Sequence, residues 1–309
     1  MTTSSGSGGG QGHVWVDGRL LPADGVHLSV FDRGFQLGDG VFETLRVRAS
    51  HPTELAEHVA RLRRSATGLD IALPADIDAR LAAGIAELLA ADGLDGPDGD
   101  ASVRITVSRG PFRGRGLLPP GEVVAATIAI QAWPVAPASP EHLERGLHLI
   151  ASAVRRDPTN PLISLKTTSR ADYVYARLEA RRAGADDALL LTTNGYLSEG
   201  TTANIFLVRR AADGVRELAT PSLDCAILPG TTRSWLLVWA ARVGLRPVEG
   251  RLSRDDLATA DEAFLSSSVA GVLPVTRFAG LPIGTGEPGP WTHQARADRE
   301  GMIRGQTGR

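Results

Sequence analysis

The pattern of hydrophobic and polar positions divides the 309-residue chain into two halves, each of which mixes strands and helices. In the N-terminal half, alternating apolar and polar positions predict strands at 13–16, 26–31, 40–48, 101–108 and 122–132. Apolar residues at helical spacing predict helices over 54–69 and 76–91. We therefore expect this half to be one sheet with two helices.

The C-terminal half repeats this mixture. Its predicted strands lie at 147–153, 188–192, 204–208 and 263–267, and its predicted helices at 168–183, 230–243 and 293–303. After Gly284, a Gly- and Pro-rich segment is expected to end loosely. The segment between the halves, WPVAPASP, has three prolines among small residues and is the predicted linker.

These elements predict an α/β protein with two domains. A Gly/Ser-rich flexible tail at 1–12 precedes a small α/β domain at 13–132, the linker at 133–140 and a larger domain at 141–309. The cleft between two such domains is the expected ligand site.

Composition narrows the classes of protein. A net charge of -2 argues against a nucleic-acid partner, because phosphate binding usually needs a basic face. No apolar run approaches the roughly 20 residues of a membrane span, and the N-terminus lacks an apolar signal core. One cysteine, Cys225, fits a reducing compartment and is expected to be an apolar filler rather than a nucleophile. We therefore predict a cytoplasmic protein without a membrane or nucleic-acid partner.

Lys166 is the most conspicuous candidate for chemistry. It is the only lysine between 163 and 208, and basic residues elsewhere in the chain are almost all arginine. An amine can lose its proton and attack a carbonyl, whereas a guanidinium stays protonated. The alternative is an ordinary surface lysine at the start of a helix. The residue type therefore favours, without proving, an imine-forming role.

Three further features are compatible with a phosphorylated carbonyl cofactor. Gly230, Thr231 and Thr232 begin a predicted helix, whose free N–H groups can bind an anion, although Thr also caps ordinary helices. The serine triplet 266–268 is a second candidate for phosphate contact. Glu199 can anchor a protonated ring nitrogen or simply end a strand. Together with Lys166, these residues match the requirements of pyridoxal 5′-phosphate.

Several motifs resemble one family over most of the chain. The runs EGTTANIF, LAT and LPGTTR follow one another as in the class IV signature, and DRGFQLGDGVFETLRV and EHVARLRRSA resemble the family's first domain. The chain, from Val14 to about Pro282, thus resembles the fold-type IV pyridoxal-phosphate enzymes. That family includes branched-chain aminotransferases, D-amino-acid transaminases, (R)-amine transaminases and aminodeoxychorismate lyases.

The resemblance implies a role for each matching residue. Lys166 is expected to attach the cofactor and to shuttle the substrate proton, and Glu199 is expected to pair with the pyridine nitrogen. Leu228 is expected to back the ring. The implied phosphate contacts are Arg61, Thr231, Thr232 and Ser268. A metal ion is not expected, and a homodimer is implied by the family alone.

The sequence departs from the family's pattern at two positions. Thr231 stands where the family usually has an aliphatic residue, which matters little for a contact made through the backbone N–H. Ala171 stands where branched-chain enzymes have a tyrosine that bonds the cofactor's phenolic oxygen. Tyr173 and Tyr175 lie nearby, so which group makes that bond is open.

The substrate residues leave several reactions open. Phe42 and Thr44 share one face of a predicted strand, and Arg113 or Arg115 is expected to grip a carboxylate, in one arrangement from a partner subunit. The motif GDGVFE is shared with D-amino-acid transaminases, whereas Thr44 and Arg170 match lyases. We predict a transaminase that moves an amino group between a D-amino acid or (R)-amine donor and a 2-oxo acid acceptor.

Three alternatives remain open at this point. The first is an aminodeoxychorismate lyase that releases 4-aminobenzoate and pyruvate, and the second is a branched-chain L-amino-acid aminotransferase. The third belongs to another class, a non-catalytic binder of the cofactor or an interaction module without one.

Overall fold

The computed structural model describes residues 12–117, 124–136 and 138–306. Within them two separate sheets, each with its own helices, confirm the predicted α/β class. Apart from Gly12, the predicted tail lies outside the described residues.

The N-terminal sheet has six strands, all paired antiparallel, in the order β2-β1-β6-β5-β3-β4. Its strands are β1 (His13–Val16), β2 (Arg19–Pro22), β3 (Gly40–Arg48), β4 (His51–Pro52), β5 (Asp100–Ser108) and β6 (Thr127–Pro134). The helices of this half are α1 (Arg33–Leu37), α2 (Leu55–Gly68) and α3 (Ile77–Ala91). The predicted pair of long helices is thus confirmed to within one residue at each end.

Alternation along β3 and β5 gives this sheet two different faces. Val103 and Ile105 of β5 are fully buried in one core with Leu62 of α2 and Leu81 of α3. Arg104, between those two strand residues, points the other way because side chains alternate across a strand. The opposite face is therefore free to line a binding site.

The C-terminal sheet has nine strands in mixed orientation. They are β7 (Leu147–Arg156), β8 (Asp187–Thr192), β9 (Leu197–Gly200), β10 (Asn204–Arg210), β11 (Arg216–Pro221), β12 (Arg246–Gly250), β13 (Glu262–Ser267), β14 (Gly271–Phe278) and β15 (Leu281–Pro282). Because β9 pairs with both β8 and β10, the path β10-β13-β14-β7-β8-β9 closes on itself. This closure fixes the position of Glu199 in β9, whose backbone pairs with that of Asn204 in β10.

Five α-helices of the described residues belong to this half. They are α4 (Pro140–Arg145), α5 (Ala171–Arg182), α6 (Thr231–Arg242), α7 (Arg254–Ala258) and α8 (Pro290–Gln306), with a 3-10 turn at Leu223–Cys225. Cys225 is buried, as expected of an apolar filler. Among the described residues, no helix combines the length and apolar character needed to cross a bilayer.

The structure corrects four expectations. Residues 26–31 form no strand, since no strand of the described residues lies beside their alternating apolar side chains; Val26 is 98% exposed. β6 begins at Thr127 rather than at 122, a position outside the described residues. β6 also extends to Pro134 and α4 begins at Pro140, so both ends of the predicted linker belong to regular elements. The segment after Gly284 does not end loosely, because α8 continues to Gln306. The division into two domains itself stays a prediction.

Candidate active site

A cavity of about 630 Å³ lies between the two sheets and is lined by residues from both halves of the chain. All the residues predicted to hold the cofactor line it: Arg61, Lys166, Glu199, Leu228, Thr231, Thr232 and Ser268. Phe42 and Thr44, two of the predicted substrate residues, line it as well. The structure thus brings together residues that are up to 226 positions apart, from Phe42 to Ser268.

Lys166 lies where the two halves meet. Its N–H donates to Ser65 Oγ of α2 at 3.0 Å, and its carbonyl accepts from the Phe42 N–H of β3 at 2.9 Å. Burial, reinforced by the positive charges of Arg61 and Arg170, lowers the pKa of the amine to about 8. About a tenth of the amine is therefore uncharged at pH 7, far more than for an ordinary lysine, and the uncharged form is the one that attacks a carbonyl. Lys166 is the only lysine of the whole chain.

Glu199 is held by donors on both carboxylate oxygens. Oε1 accepts from the Tyr173 hydroxyl at 2.7 Å, and Oε2 accepts from the Leu228 N–H at 2.9 Å. Arg156 approaches Oε1 at 3.6 Å. Burial, and then the negative charge of Glu199, raises the pKa of Tyr173. The carboxylate thus has a fixed orientation at the cavity wall, as an anchor for a ring N–H requires.

The two tyrosines near Lys166 occupy different environments. Tyr173 lines the cavity, and its hydroxyl already bonds Glu199. Tyr175 is 49% exposed and is not among the cavity-lining residues. Tyr173 is therefore the one of the two that is placed to act in the site.

One part of the cavity lining is rich in hydrogen-bond donors, and we call it the anion cup: Arg61, Thr231, Thr232 and Ser268. Thr231 and Thr232 open α6 after the N-cap Gly230, where backbone N–H groups have no helical partner. Thr231 Oγ1 and Ser268 Oγ lie 3.1 Å apart. A Cβ on Gly230 would overlap Asn204 Oδ1, so a larger residue there would displace that buried side chain.

Arg61 reaches the cup from α2. Two of its nitrogens donate to the Glu43 carboxylate, each at 2.7 Å, and the third donates to the Pro229 carbonyl at 2.8 Å. His58 also bonds Glu43, and these partners hold the pKa of that carboxyl at about 2 against the opposing effect of burial. Arg63, two positions on, is a surface residue paired with Asp78. Only Arg61 of the two therefore serves the cavity.

The residues present fit pyridoxal phosphate. An amine, a fixed carboxylate and a donor-rich anion cup surround one cavity, and the buried Ser266 Oγ beside the cup has no hydrogen-bond partner among the described residues. Lys166 would attach the cofactor, Glu199 would hold its ring nitrogen and the cup its phosphate. Within the described ranges, no group of three or more His, Cys, Asp or Glu residues is arranged to hold a metal ion.

The predicted carboxylate-binding arginines lie elsewhere. Arg113 and Arg115 are exposed on the loop after β5, and neither lines the cavity. Arg113 lies with its guanidinium carbon 5.4 Å from the centre of the Phe31 ring. Within one chain, then, neither arginine is placed to hold a substrate. A role from a partner subunit stays a prediction.

Besides Arg61, three arginines line the cavity: Arg104, Arg170 and Arg177. Of these, the sequence pointed only to Arg170, as a match to lyases, and it pointed to neither Arg104 nor Arg177. Arg104 of β5 lies 4.0 Å from the Phe42 ring centre, and Arg170 lies 3.2 Å from the Tyr173 ring centre. Neither guanidinium has a carboxylate of the described residues within 4.0 Å. Burial, and then the charge of Arg170, lowers the pKa of Arg104. The sequence signal for Arg104 is its place between the apolar Val103 and Ile105 on a predicted strand, whereas its register opposite Thr44 is seen only in the structure.

Comparison with known proteins agrees with this geometry. The family model described as amino-transferase class IV matches residues 40–278. A putative branched-chain-amino-acid aminotransferase of Methanocaldococcus jannaschii is 34% identical over 92% of this chain and 93% of its own length. A D-alanine aminotransferase of Bacillus licheniformis is 31% identical over 95% of this chain and 98% of its own.

Solved structures give the same result. The branched-chain amino acid aminotransferase of T.th., determined with pyridoxamine 5′-phosphate, superposes with a TM-score of 0.86 at 29% identity, over 96% of this chain and 95% of that one. The family match covers more than half of the chain, and the relatives cover nearly all of it. The chain therefore belongs to the class IV aminotransferases, the fold-type IV enzymes that use pyridoxal 5′-phosphate.

Proposed function

We propose that the enzyme transfers an amino group between a D-amino acid and a 2-oxo acid. The observation that carries the choice of an amino acid as donor is the pair Arg104 and Arg170, two guanidiniums without a carboxylate partner in the described chain, facing the cavity that holds Lys166. Partly buried charges are costly unless they are paired. A substrate carboxylate supplies the missing partner and is suited to bidentate binding by arginine.

The Arg104–Arg170 pair also indicates which class of amino donor the cavity binds better. An (R)-amine such as (R)-1-phenylethylamine has no carboxylate and leaves both guanidiniums uncompensated when it displaces water from the cavity. Amino acids and 2-oxo acids bring one negative charge or more. Within the two donor classes that the sequence suggested, the charge of the cavity therefore favours D-amino acids over (R)-amines.

Each residue of the site has a distinct task in this proposal. When bound, pyridoxal phosphate supplies an electron sink for bond cleavage at the substrate α-carbon. Lys166 Nζ, with its pKa near 8, can release and regain a proton near neutral pH and so moves the proton at that carbon. Glu199 and the anion cup orient the cofactor, and Arg104 and Arg170 orient the substrate.

The D series is supported by the motif GDGVFE and by the D-alanine aminotransferase among the relatives. The second candidate is a branched-chain L-amino-acid aminotransferase, which the M. jannaschii relative and the T.th. structure favour. Lyase activity on aminodeoxychorismate is the third, favoured by Thr44 and Arg170 in the cavity wall.

A donor panel tests the proposal. The pyridoxal form of the enzyme is mixed with D-alanine, L-leucine or (R)-1-phenylethylamine, and the cofactor's absorbance is followed as it converts to the pyridoxamine form. We expect D-alanine to react at least about tenfold faster than either of the others, a difference of roughly 1.4 kcal/mol. Faster reaction with L-leucine would favour the second candidate. Release of 4-aminobenzoate and pyruvate from aminodeoxychorismate, without consumption of a 2-oxo acid, would favour the lyase.

We also propose that the enzyme is a cytoplasmic homodimer. Apolar side chains around α1 are exposed and define an N-terminal patch: Val26, Val30, Phe31, Phe35 and Leu117. Hydrogen bonds from Gln36 to the Val30 carbonyl and from Arg33 to the Leu117 carbonyl hold its segments together. Large exposed apolar patches mark interaction surfaces.

The cytoplasmic location is supported by the free, buried Cys225, which is compatible with a reducing compartment.

Replacing Phe35, which is 75% exposed, by glutamate is expected to convert the dimer to a monomer, because the charge would be buried without a partner. Light scattering coupled to size-exclusion chromatography measures the mass. Val238→Glu is the matched control, since Val238 is 53% exposed on α6 and lies outside the patch. A wild-type monomer, or an unchanged mass for Phe35→Glu, would contradict the proposed interface.

A further inference from the structure

Arg299, in the C-terminal helix α8, is a fully buried guanidinium outside the cavity lining. It donates to both carboxylate oxygens of Glu54, at 2.7 and 2.9 Å, and to Thr232 Oγ1 at 3.2 Å. Its guanidinium carbon lies 5.3 Å from the centre of a ring of Trp235 in α6. A residue near the end of the chain thus contacts two elements that build the anion cup.

The two partners of Arg299 stand at the starts of those elements. Glu54 is the N-cap residue of α2, which carries Arg61, and Thr232 lies in the first turn of α6. Glu54 makes no side-chain cap bond to its own helix, and its φ of 54° is unusual for a residue other than glycine. Such a conformation persists where the surroundings enforce it. The Glu54 carboxylate at this position is held by its ion pair with Arg299.

The contact with Thr232 also determines which way that hydroxyl points. A guanidinium can only donate hydrogen bonds, so Thr232 Oγ1 accepts from Arg299. A hydroxyl has a single proton, which is then free to be donated to another acceptor. Thr232 lines the cup, where an anion needs donors. Arg299 thereby prepares Thr232 as a donor to the cup without entering it.

We propose that Arg299 is a positioning residue for the phosphate group of the cofactor, acting through the Thr232 hydroxyl and through the Glu54 start of α2. The proposal rests on the assignment of the anion cup to that phosphate. It makes α8 part of the cofactor site, although none of its residues lines the cavity.

The next residue of α8 offers a matched control. Glu300 accepts from Arg46 of β3 at 2.6 Å, so it also joins α8 to the N-terminal sheet. Neither Glu300 nor Arg46 lines the cavity, and none of their hydrogen bonds within the described residues involves Thr232. Glu300→Gln therefore weakens the same helix's attachment while leaving the hydroxyl and the cup intact.

The test compares two ligands of the cofactor-free protein, pyridoxal 5′-phosphate and pyridoxal, which lacks the phosphate. Affinities are measured by absorbance titration, and thermal unfolding is recorded for each variant. In Arg299→Met we expect affinity for pyridoxal 5′-phosphate to fall about tenfold, the effect of one hydrogen bond to a charged group, with affinity for pyridoxal unchanged. Glu300→Gln is expected to lower the unfolding temperature and to keep the ratio of the two affinities at its wild-type value.

A double-mutant cycle isolates the path through Thr232. In a Thr232→Val background, Arg299→Met is expected to change the affinity ratio by much less than tenfold, because the hydroxyl that it orients is gone. Arg299→Lys keeps the positive charge but lacks the planar guanidinium that donates to two partners at once. We expect it to lower the ratio of the affinity for pyridoxal 5′-phosphate to that for pyridoxal, by less than Arg299→Met does. This variant provides the test if Arg299→Met does not fold.

Two results distinguish a failure of the Arg299 role from a failure of the assignment of the anion cup to the phosphate. An unchanged affinity ratio in both Arg299 variants, with a reduced ratio in Arg61→Met, would overturn the role of Arg299 alone. An unchanged ratio in Arg61→Met as well would show that the cup does not hold the phosphate, and both ideas would fall together.

Discussion

Lys166→Ala is expected to abolish covalent attachment of the cofactor and to lower kcat by at least about 10³-fold, within the range that a positioned acid–base group contributes. The chain has no other lysine, so no neighbouring side-chain amine can take over. The measurement is borohydride reduction of the enzyme with its cofactor, followed by mass spectrometry. In the wild type, one pyridoxyl group should map to the peptide that contains Lys166, and in the variant that peptide should carry none.

Lys166→Arg is the matched variant. It keeps a positive charge beside Phe42 but has no amine that can lose its proton at ordinary pH. We expect it to be as inactive as Lys166→Ala, with the anion cup still able to bind the cofactor reversibly. Activity near the wild-type level in Lys166→Arg would mean that charge, rather than a nucleophilic amine, is what the cavity needs.

Some of this site could be predicted from the sequence because each residue has a local signal. Lys166 is conspicuous in an arginine-rich chain, and Thr231 and Thr232 open a helix after a glycine. Glu199 follows a strand within a recognisable run. Their roles depend on residue type and on position within one element, and both can be read along the chain.

Other features depend on pairing between distant segments. Arg104 faces the cavity because it stands opposite Thr44 in the β3–β5 register, a relation that no single segment carries. The contact between Glu54 and Arg299 spans 245 positions. Residues 26–31 show the opposite error, since their alternation is typical of a strand, yet no strand in the described part of the chain pairs with them. Periodicity indicates which side chains share a face of an element, but it does not identify the segment against which that face packs.

The largest effect on substrate binding is expected from Arg104→Gln and Arg170→Gln. Each removes one uncompensated guanidinium from the cavity, and losing one partner of a charged pair typically costs about 2–5 kcal/mol. We expect kcat/KM for the preferred amino acid to fall by about 10²-fold or more in each variant, mainly through KM. Steady-state kinetics with the amino acid and with its 2-oxo acid measure this change.

Arg177 supplies the control within the same cavity. It lines the wall, but Asp187 already pairs with it at 2.9 Å, so Arg177→Gln is expected to change KM by a few-fold at most.

Variants of the loop arginines, Arg113 and Arg115, show whether the substrate carboxylate is bound by the same chain or by a partner subunit. If Arg113→Gln or Arg115→Gln costs more than Arg104→Gln, the substrate is held from a partner subunit. If the loop variants stay near the wild type while Arg104→Gln and Arg170→Gln lose activity, the carboxylate lies against the chain's own sheet, opposite Lys166.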